Sequence, residues 1–379
     1  MTVPPSSGWP DEPPRQPQYG PLTGHQPYAG QQPYAPQAHW PQQPTPPPPQ
    51  KGGGAIKWLL VAIAVLLVIG VTISATLLFT RSDGGGPSSP PTSGNASDLA
   101  SANDTGPVSI ITEEPTCDRY MTINDSIART QGQGWGDIRA QLGRKDEWTP
   151  DQNMLVDDVT TAMSNASQQM SDLYDRTPHR VIRELYGQFR AYADAYALSV
   201  PTYRPSDNEL ATANVAIGNA LAAICTTIDN GSSGRSINIG AAAETPDLSQ
   251  PAAYGTVDRF VSEADPNCAR WITGEQRLDE ELSDWSRLDT GKSATEWTPL
   301  ERNIQESAVE LLQNYANDIE GVAASSGNSV LTDLGFLSAL YIRAYVAASP
   351  TYTEADSWLS SAGLRVSNVI TESCRATSG

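Results

Sequence analysis

Histidine is almost missing from this chain: three occur in 379 residues, and only His179 lies beyond residue 39. Cysteine is nearly as scarce, at four. These shortages exclude a histidine-built metal centre and a small disulfide-dense scaffold. Basic residues are few as well, 24 against 43 acidic ones, for a formal net charge of −19. A folded part with this balance lacks the clustered Lys and Arg that nucleic acid or an anionic lipid surface requires, so no nucleic-acid partner is expected. No HExxH, GxSxG, Walker A or GxGxxG stretch occurs in a suitable strand–helix setting. The Asp157-Asp158 pair and the run from Asp279 to Glu281 lack the alternating spacing of a Ca²⁺ loop and read as solvated helix faces. His179, beside Pro178, reads as an exposed helix terminus, with Asn328 at the corresponding place in a second stretch of chain. Catalytic, cofactor-binding and metal-ligating residues are therefore left unassigned. No cofactor is expected, and the chain does not read as an enzyme.

What is present is arranged in blocks. More than half of the 30 prolines precede residue 51, and residues 1–54, rich in Pro, Gln and Tyr, show no apolar period with which to bury a face. This tail reads as a docking element for a cytoplasmic partner, through its QPY tyrosines and the Pro46–Pro49 run, or as a solvated spacer. Trp58 to Phe79 then carries no charged residue. At about 1.5 Å per residue it spans roughly 33 Å, enough to cross a hydrocarbon core, so residues 55–80 are expected to form a transmembrane signal anchor. The segment is too long and too far from residue 1 for a cleavable signal peptide. Lys51 and Lys57 precede it and Arg81 follows, which favours a cytoplasmic N-terminus. All four cysteines lie beyond the span, as suits an oxidising compartment outside the cell membrane. Residues 81–106, rich in Gly, Ser and Pro, read as a stalk.

Beyond the stalk the chain repeats itself. Glu147-Trp148-Thr149-Pro150 returns as Glu296-Trp297-Thr298-Pro299, 149 residues later. At the same offset Val181, Leu185, Tyr192 and Tyr196 fall on Val330, Leu334, Tyr341 and Tyr345, and Cys225 falls on Cys374. With a slip of one or two residues Cys117 also meets Cys268. Two copies, 107–229 and 257–379, joined by a linker at 230–256, are expected. Period-2 alternation is scarce, and each copy reads as four helices. Thr149-Pro150 with Gln152, and Thr298-Pro299 with Glu301, are capping boxes that open a helix. Pro178 is expected to open the next helix, Pro201 to end it, and a last helix to start near Pro205. The expected fold is mainly α: one transmembrane helix and two tandem four-helix-bundle-like repeats.

The cysteines stand near the ends of each copy. Four allow three pairings, all compatible with exchange of the copies. Cys117–Cys225 and Cys268–Cys374 are preferred because each copy then stays a complete unit, in a structural role. The recurring aromatics Trp148/Trp297, Tyr192/Tyr341, Tyr196/Tyr345 and Tyr203/Tyr352 read either as a binding groove or as bundle core, and helical spacing in both copies favours core. Buried tyrosines need hydroxyl partners, for which Asp207/Asp356 or Asn219/Asn368 are candidates.

The combination of Pro/Gln/Tyr-rich tail, lone span, stalk and acidic Ala/Thr/Asp-rich ectodomain resembles the uncharacterised single-pass envelope proteins of actinobacteria. That resemblance implies a cell-membrane location and carries over no functional residue. The expected role is binding or assembly in the cell envelope, with an envelope protein or ligand as the ectodomain's partner. The alternatives are a ligand sensor signalling through the tail and, third, an enzyme acting on envelope polymers.

Overall fold

A computed structural model describes residues 99–377 apart from positions 237 and 247. The tail at 1–54, the span at 55–80 and the stalk as far as residue 98 lie outside the described residues. Eight helices of fourteen residues or more occur among the described residues: α1 Cys117–Gln131, α2 Pro150–Arg176, α3 Arg180–Ser199, α4 Asn208–Asp229, α5 Cys268–Glu281, α6 Pro299–Ala324, α7 Ser329–Ala348 and α8 Ser357–Arg375. No strand occurs among them.

Local chemistry sets most of the boundaries. Thr149 accepts from the Gln152 N–H (3.2 Å) while Gln152 Oε1 accepts from the Thr149 N–H (2.9 Å), and Pro150 takes the first helical position of α2. Thr298, Glu301 and Pro299 do the same for α6. Replacing Thr149 or Thr298 by alanine is expected to cost about 1 kcal/mol each. A urea-denaturation midpoint unchanged by either substitution would count against the caps. Glycine then breaks the chain after α1, where Gly134 adopts φ 112° ahead of a four-residue turn of helix, Trp135–Ile138.

The start of α3 differs from the sequence expectation. Pro178 stands two residues before it, and His179 is the N-cap residue in extended conformation. Asp104 reaches in from the preceding segment to accept the Arg180 N–H (2.6 Å), so a distant residue supplies the cap. Pro205 likewise opens a single 3₁₀ turn, Pro205–Asp207, and α4 begins at Asn208.

Each set of four helices closes on itself. The first runs α1 against α2, α2 against α3, α3 against α4 and α4 back against α1; the second runs α5, α6, α7, α8 in the same cycle. The stripe Val181, Leu185, Tyr192, Tyr196 is buried on α3, and Leu334, Tyr341, Tyr345 on α7. Disulfides Cys117–Cys225 and Cys268–Cys374, each with Cα atoms 5.4 Å apart, tie the first helix of each set to its last. Corresponding polar contacts recur. Tyr120 on α1 donates to the Gly218 carbonyl on α4 (2.6 Å), and Trp271 on α5 donates to the Ser367 carbonyl on α8 (3.2 Å). The Lys145 N–H bonds the Tyr203 carbonyl (3.1 Å), and the Ala294 N–H bonds the Tyr352 carbonyl (3.0 Å).

The sets meet chiefly through α4 on α8. These two helices run antiparallel, because Arg235, just past the end of α4, pairs with Asp356 at the start of α8 (2.7 Å). Close approach at α7 and α8 requires glycine: a Cβ on Gly363 would stand 2.6 Å from Ile342 Cγ1 and 2.9 Å from its backbone nitrogen. By length and composition, Pro205–Asp229 and Ser329–Thr351 are apolar enough to cross a membrane, yet 67% and 78% of their most apolar stretches are buried in the bundle. A protein interior accounts for that apolarity.

Two segments read as spacer are packed. Residues 99–106, assigned from composition to the stalk, form a strap on the bundle, with Ser101 buried under Arg183 and Asp104 capping α3. Within the 230–256 linker, Ser232, Ser233 and Thr245 are buried. Composition reports what a segment cannot bury; it does not report which polar groups a neighbouring helix needs satisfied.

Candidate functional site

Six of the eight aromatics singled out in the sequence collect at two poles. In the first set Trp148 lies 4.9 Å from Tyr203 between ring centroids, Tyr196 meets Tyr203 edge-on at 6.4 Å, and Trp135 meets Tyr196 at 6.4 Å. Lys145 Nζ sits 4.3 Å above the Trp148 ring and Arg139 5.1 Å above Trp135. In the second set Trp297 lies 5.4 Å from Tyr352, Tyr345 meets Tyr352 at 6.1 Å, and Trp285 meets Tyr345 at 5.7 Å. All six are buried except Trp297, which is half-buried. The remaining two, Tyr192 and Tyr341, are buried mid-helix and donate to the carbonyls of Val261 (3.3 Å) and Ile111 (3.4 Å). Burial pushes the Tyr192 hydroxyl up to about 12, so it stays protonated. These rings pack on one another and on cations, which makes them core.

The hydroxyl partners are not those expected. Asp207 and Asp356 accept backbone N–H groups of Arg204 and Thr353 in 3₁₀ turns. Asn219 is exposed, and Asn368 bonds Glu372. Gln305 serves Tyr345 instead (2.7 Å), and the Thr290 carbonyl serves Tyr352 (2.9 Å). The second pole thus carries a buried amide, Gln305, where the 149-residue offset puts the buried Val156 in the first set, a difference that helical periodicity does not report.

A cluster that sequence reasoning missed lies where α3 crosses α7. Arg180 donates through Nε (2.6 Å) and Nη2 (3.1 Å) to the Asp333 carboxylate, and both side chains are buried. Its Nη1 donates to the carbonyls of Asp104 (2.6 Å) and Gly106 (3.1 Å), which fastens the strap. Thr245 donates to the same Asp333 carboxylate. Arg183 donates to Ser101 Oγ (2.7 Å). One signal could have found the site: Asp333 is the single acid in α7, a helix of mostly apolar residues.

Little else converges. His179 is half-buried, with Nε2 2.8 Å from the Glu113 carbonyl. Asn328 caps α7 and donates to the Phe260 carbonyl. Among the described residues no three His, Cys, Asp or Glu side chains are grouped to hold a metal ion. A shallow groove of about 370 Å³ runs between α1 and α2, lined by Ser126, Thr130, Asp158, Thr161, Asn165 and Gln169 among others.

These features define a mainly helical bundle tied by two disulfides. The chain belongs to the family described as mycobacterial ESX-1 associated protein, whose model matches residues 99–379, the whole of the bundle. It is also 36% identical over 357 residues to an uncharacterised protein of Mycolicibacterium smegmatis (strain MKD8), with 90% of each chain covered. That alignment is longer than the bundle and so extends into the N-terminal region. No solved structure matches the chain.

Proposed function

We propose that this protein is a single-pass membrane component of the mycobacterial cell envelope whose duplicated helical ectodomain binds a protein of the ESX-1 secretion apparatus. The observation that carries this reading is the family match over the entire bundle, under a description that names association with ESX-1. The layout supports it: the apolar stretch Trp58 to Phe79 precedes a bundle with two disulfides, which suits the oxidising side of a membrane. The relative from Mycolicibacterium smegmatis aligns over 90% of the chain, which supports a shared layout reaching ahead of the bundle. Duplication is supported by the paired capping boxes, the paired disulfides and the recurring Tyr120–Gly218 and Trp271–Ser367 bonds. In this reading the protein acts by binding, not by catalysis, with its N-terminus cytoplasmic and its two helix sets outside.

The test is crosslinking in intact mycobacterial cells followed by mass spectrometry, with full-length protein beside a variant lacking residues 1–54. Recovery of secretion-apparatus proteins by both forms is expected, which places the contact in the ectodomain. A strain deleted for the gene should export less through ESX-1. Unchanged export, with no apparatus protein crosslinked, would refute the proposal.

A further inference from the structure

Two acidic side chains meet where α3 crosses α7. Glu184 lies one turn after Arg180 on α3, Asp333 lies one turn into α7, and they stand 149 residues apart, the offset that also relates the two capping boxes. Asp333 is fully buried and accepts from Arg180 and Thr245. The Glu184 carboxyl is within hydrogen-bonding reach of Asp333, and its Oε2 is sealed from solvent with no donor facing it. The nearby cations are engaged elsewhere: Arg180 with Asp333 and the strap carbonyls, Arg183 with Ser101. Ionised carboxylates only accept hydrogen bonds, so two of them in contact repel; a single proton makes one a donor to the other. We propose that Glu184 carries this proton and donates it to Asp333, so that the α3–α7 contact between the two helix sets is a latch that acid closes and rising pH loosens.

The surroundings agree on the direction. Burial, and next the Asp333 charge, push Glu184 well above the usual carboxylate range, against the opposing pull of Arg183 and Arg180. The groups facing the pair are Arg180 and Arg183 on α3, Asp333 on α7, Asp104 and Ser101 on the strap, Thr245 on the inter-set segment and the Tyr174 hydroxyl on α2. None of them bonds the Glu184 Oε2. The folded chain therefore holds the proton more tightly than the unfolded chain, whose glutamates release theirs near pH 4.3. The stabilisation is complete below that pH and is lost as pH rises toward the raised folded value. Over that window one proton enlarges the unfolding constant about tenfold per pH unit. Loosening acts on α3, α7 and the strap together, because Arg180 and Asp333 join all three.

The test is urea unfolding of the full-length protein in detergent between pH 5 and pH 9, with wild type beside Glu184→Gln. Glutamine is neutral and its amide donates to Asp333 as the protonated acid does. Other raised carboxyls, including Glu275, which burial pushes up to about 7, are common to both proteins and cancel in the comparison. The ratio of unfolding constants, wild type over Glu184→Gln, is expected to climb by up to tenfold per pH unit above pH 5. Parallel pH profiles would overturn the proposal. Glu184→Met, also neutral and of similar size, is the second variant and should give the same flattening. A site that is neutral in the native state accepts a neutral side chain, so failure of both variants to fold would overturn the proposal as well.

Discussion

Replacing Cys117 and Cys225 together by alanine is expected to lower the stability of the protein by about 2–5 kcal/mol. The bond closes a loop with a sequence separation of 108 residues. For a loop of about 100 residues the chain-entropy model allows up to about 4.7 kcal/mol at 25 °C, before any adjustment for residual structure in the unfolded chain. The geometry argues for the full range, because the bond fastens α1 to α4, and α4 is also the helix that docks on α8. Without it, α1 is held by its packing on α2 and α4 and by the Tyr120–Gly218 bond. The Cys268–Cys374 pair, closing 106 residues, is expected to behave alike. Urea denaturation of each double variant, with wild type in the presence and absence of a thiol reductant, measures the effect. A midpoint insensitive to both substitution and reduction would show that the bonds do not constrain the unfolded chain.

Replacing Arg180 by leucine should cost about 3–5 kcal/mol, the usual penalty for stripping one partner from a buried ion pair. Asp333 has no exposed surface and would keep only Thr245 as a donor, beside the Glu184 carboxyl. The strap would also lose its two carbonyl contacts to the guanidinium. Substituting Asp333 by leucine in the same chain removes the stranded charge and should recover most of the loss. A single variant as costly as the double at every pH would mean that the guanidinium stabilises by packing and not by pairing.

Both predictions concern contacts that unite distant parts of the chain, and they mark where sequence reading stopped. Thr149, Pro150 and Gln152 announce the start of α2 within four residues, and the same device at Thr298 announces α6. The preference for Cys117–Cys225 and Cys268–Cys374 agrees with the pairing observed. The aromatic stripes were legible as periodic positions, and their burial follows from that periodicity. Their hydroxyl partners were not legible: carbonyls and an amide do this work, while Asp207 and Asp356 cap turns. Residues 99–106 looked like stalk because their composition is polar, yet Asp104 and Ser101 satisfy α3.

The sequence by itself determined where α2 and α6 start and which faces are apolar, and it made the within-copy cysteine pairing the preferred one. Caps, proline breaks and the 3.6-residue period act over a few neighbouring positions. Only the tertiary structure decided that Arg180 meets Asp333, 153 residues away, and that Glu184 faces the same carboxylate. Such meetings depend on the antiparallel docking of α4 on α8 and the crossing of α3 over α7. Those are settled by shape and burial summed over many side chains, and no local stretch of sequence records that sum.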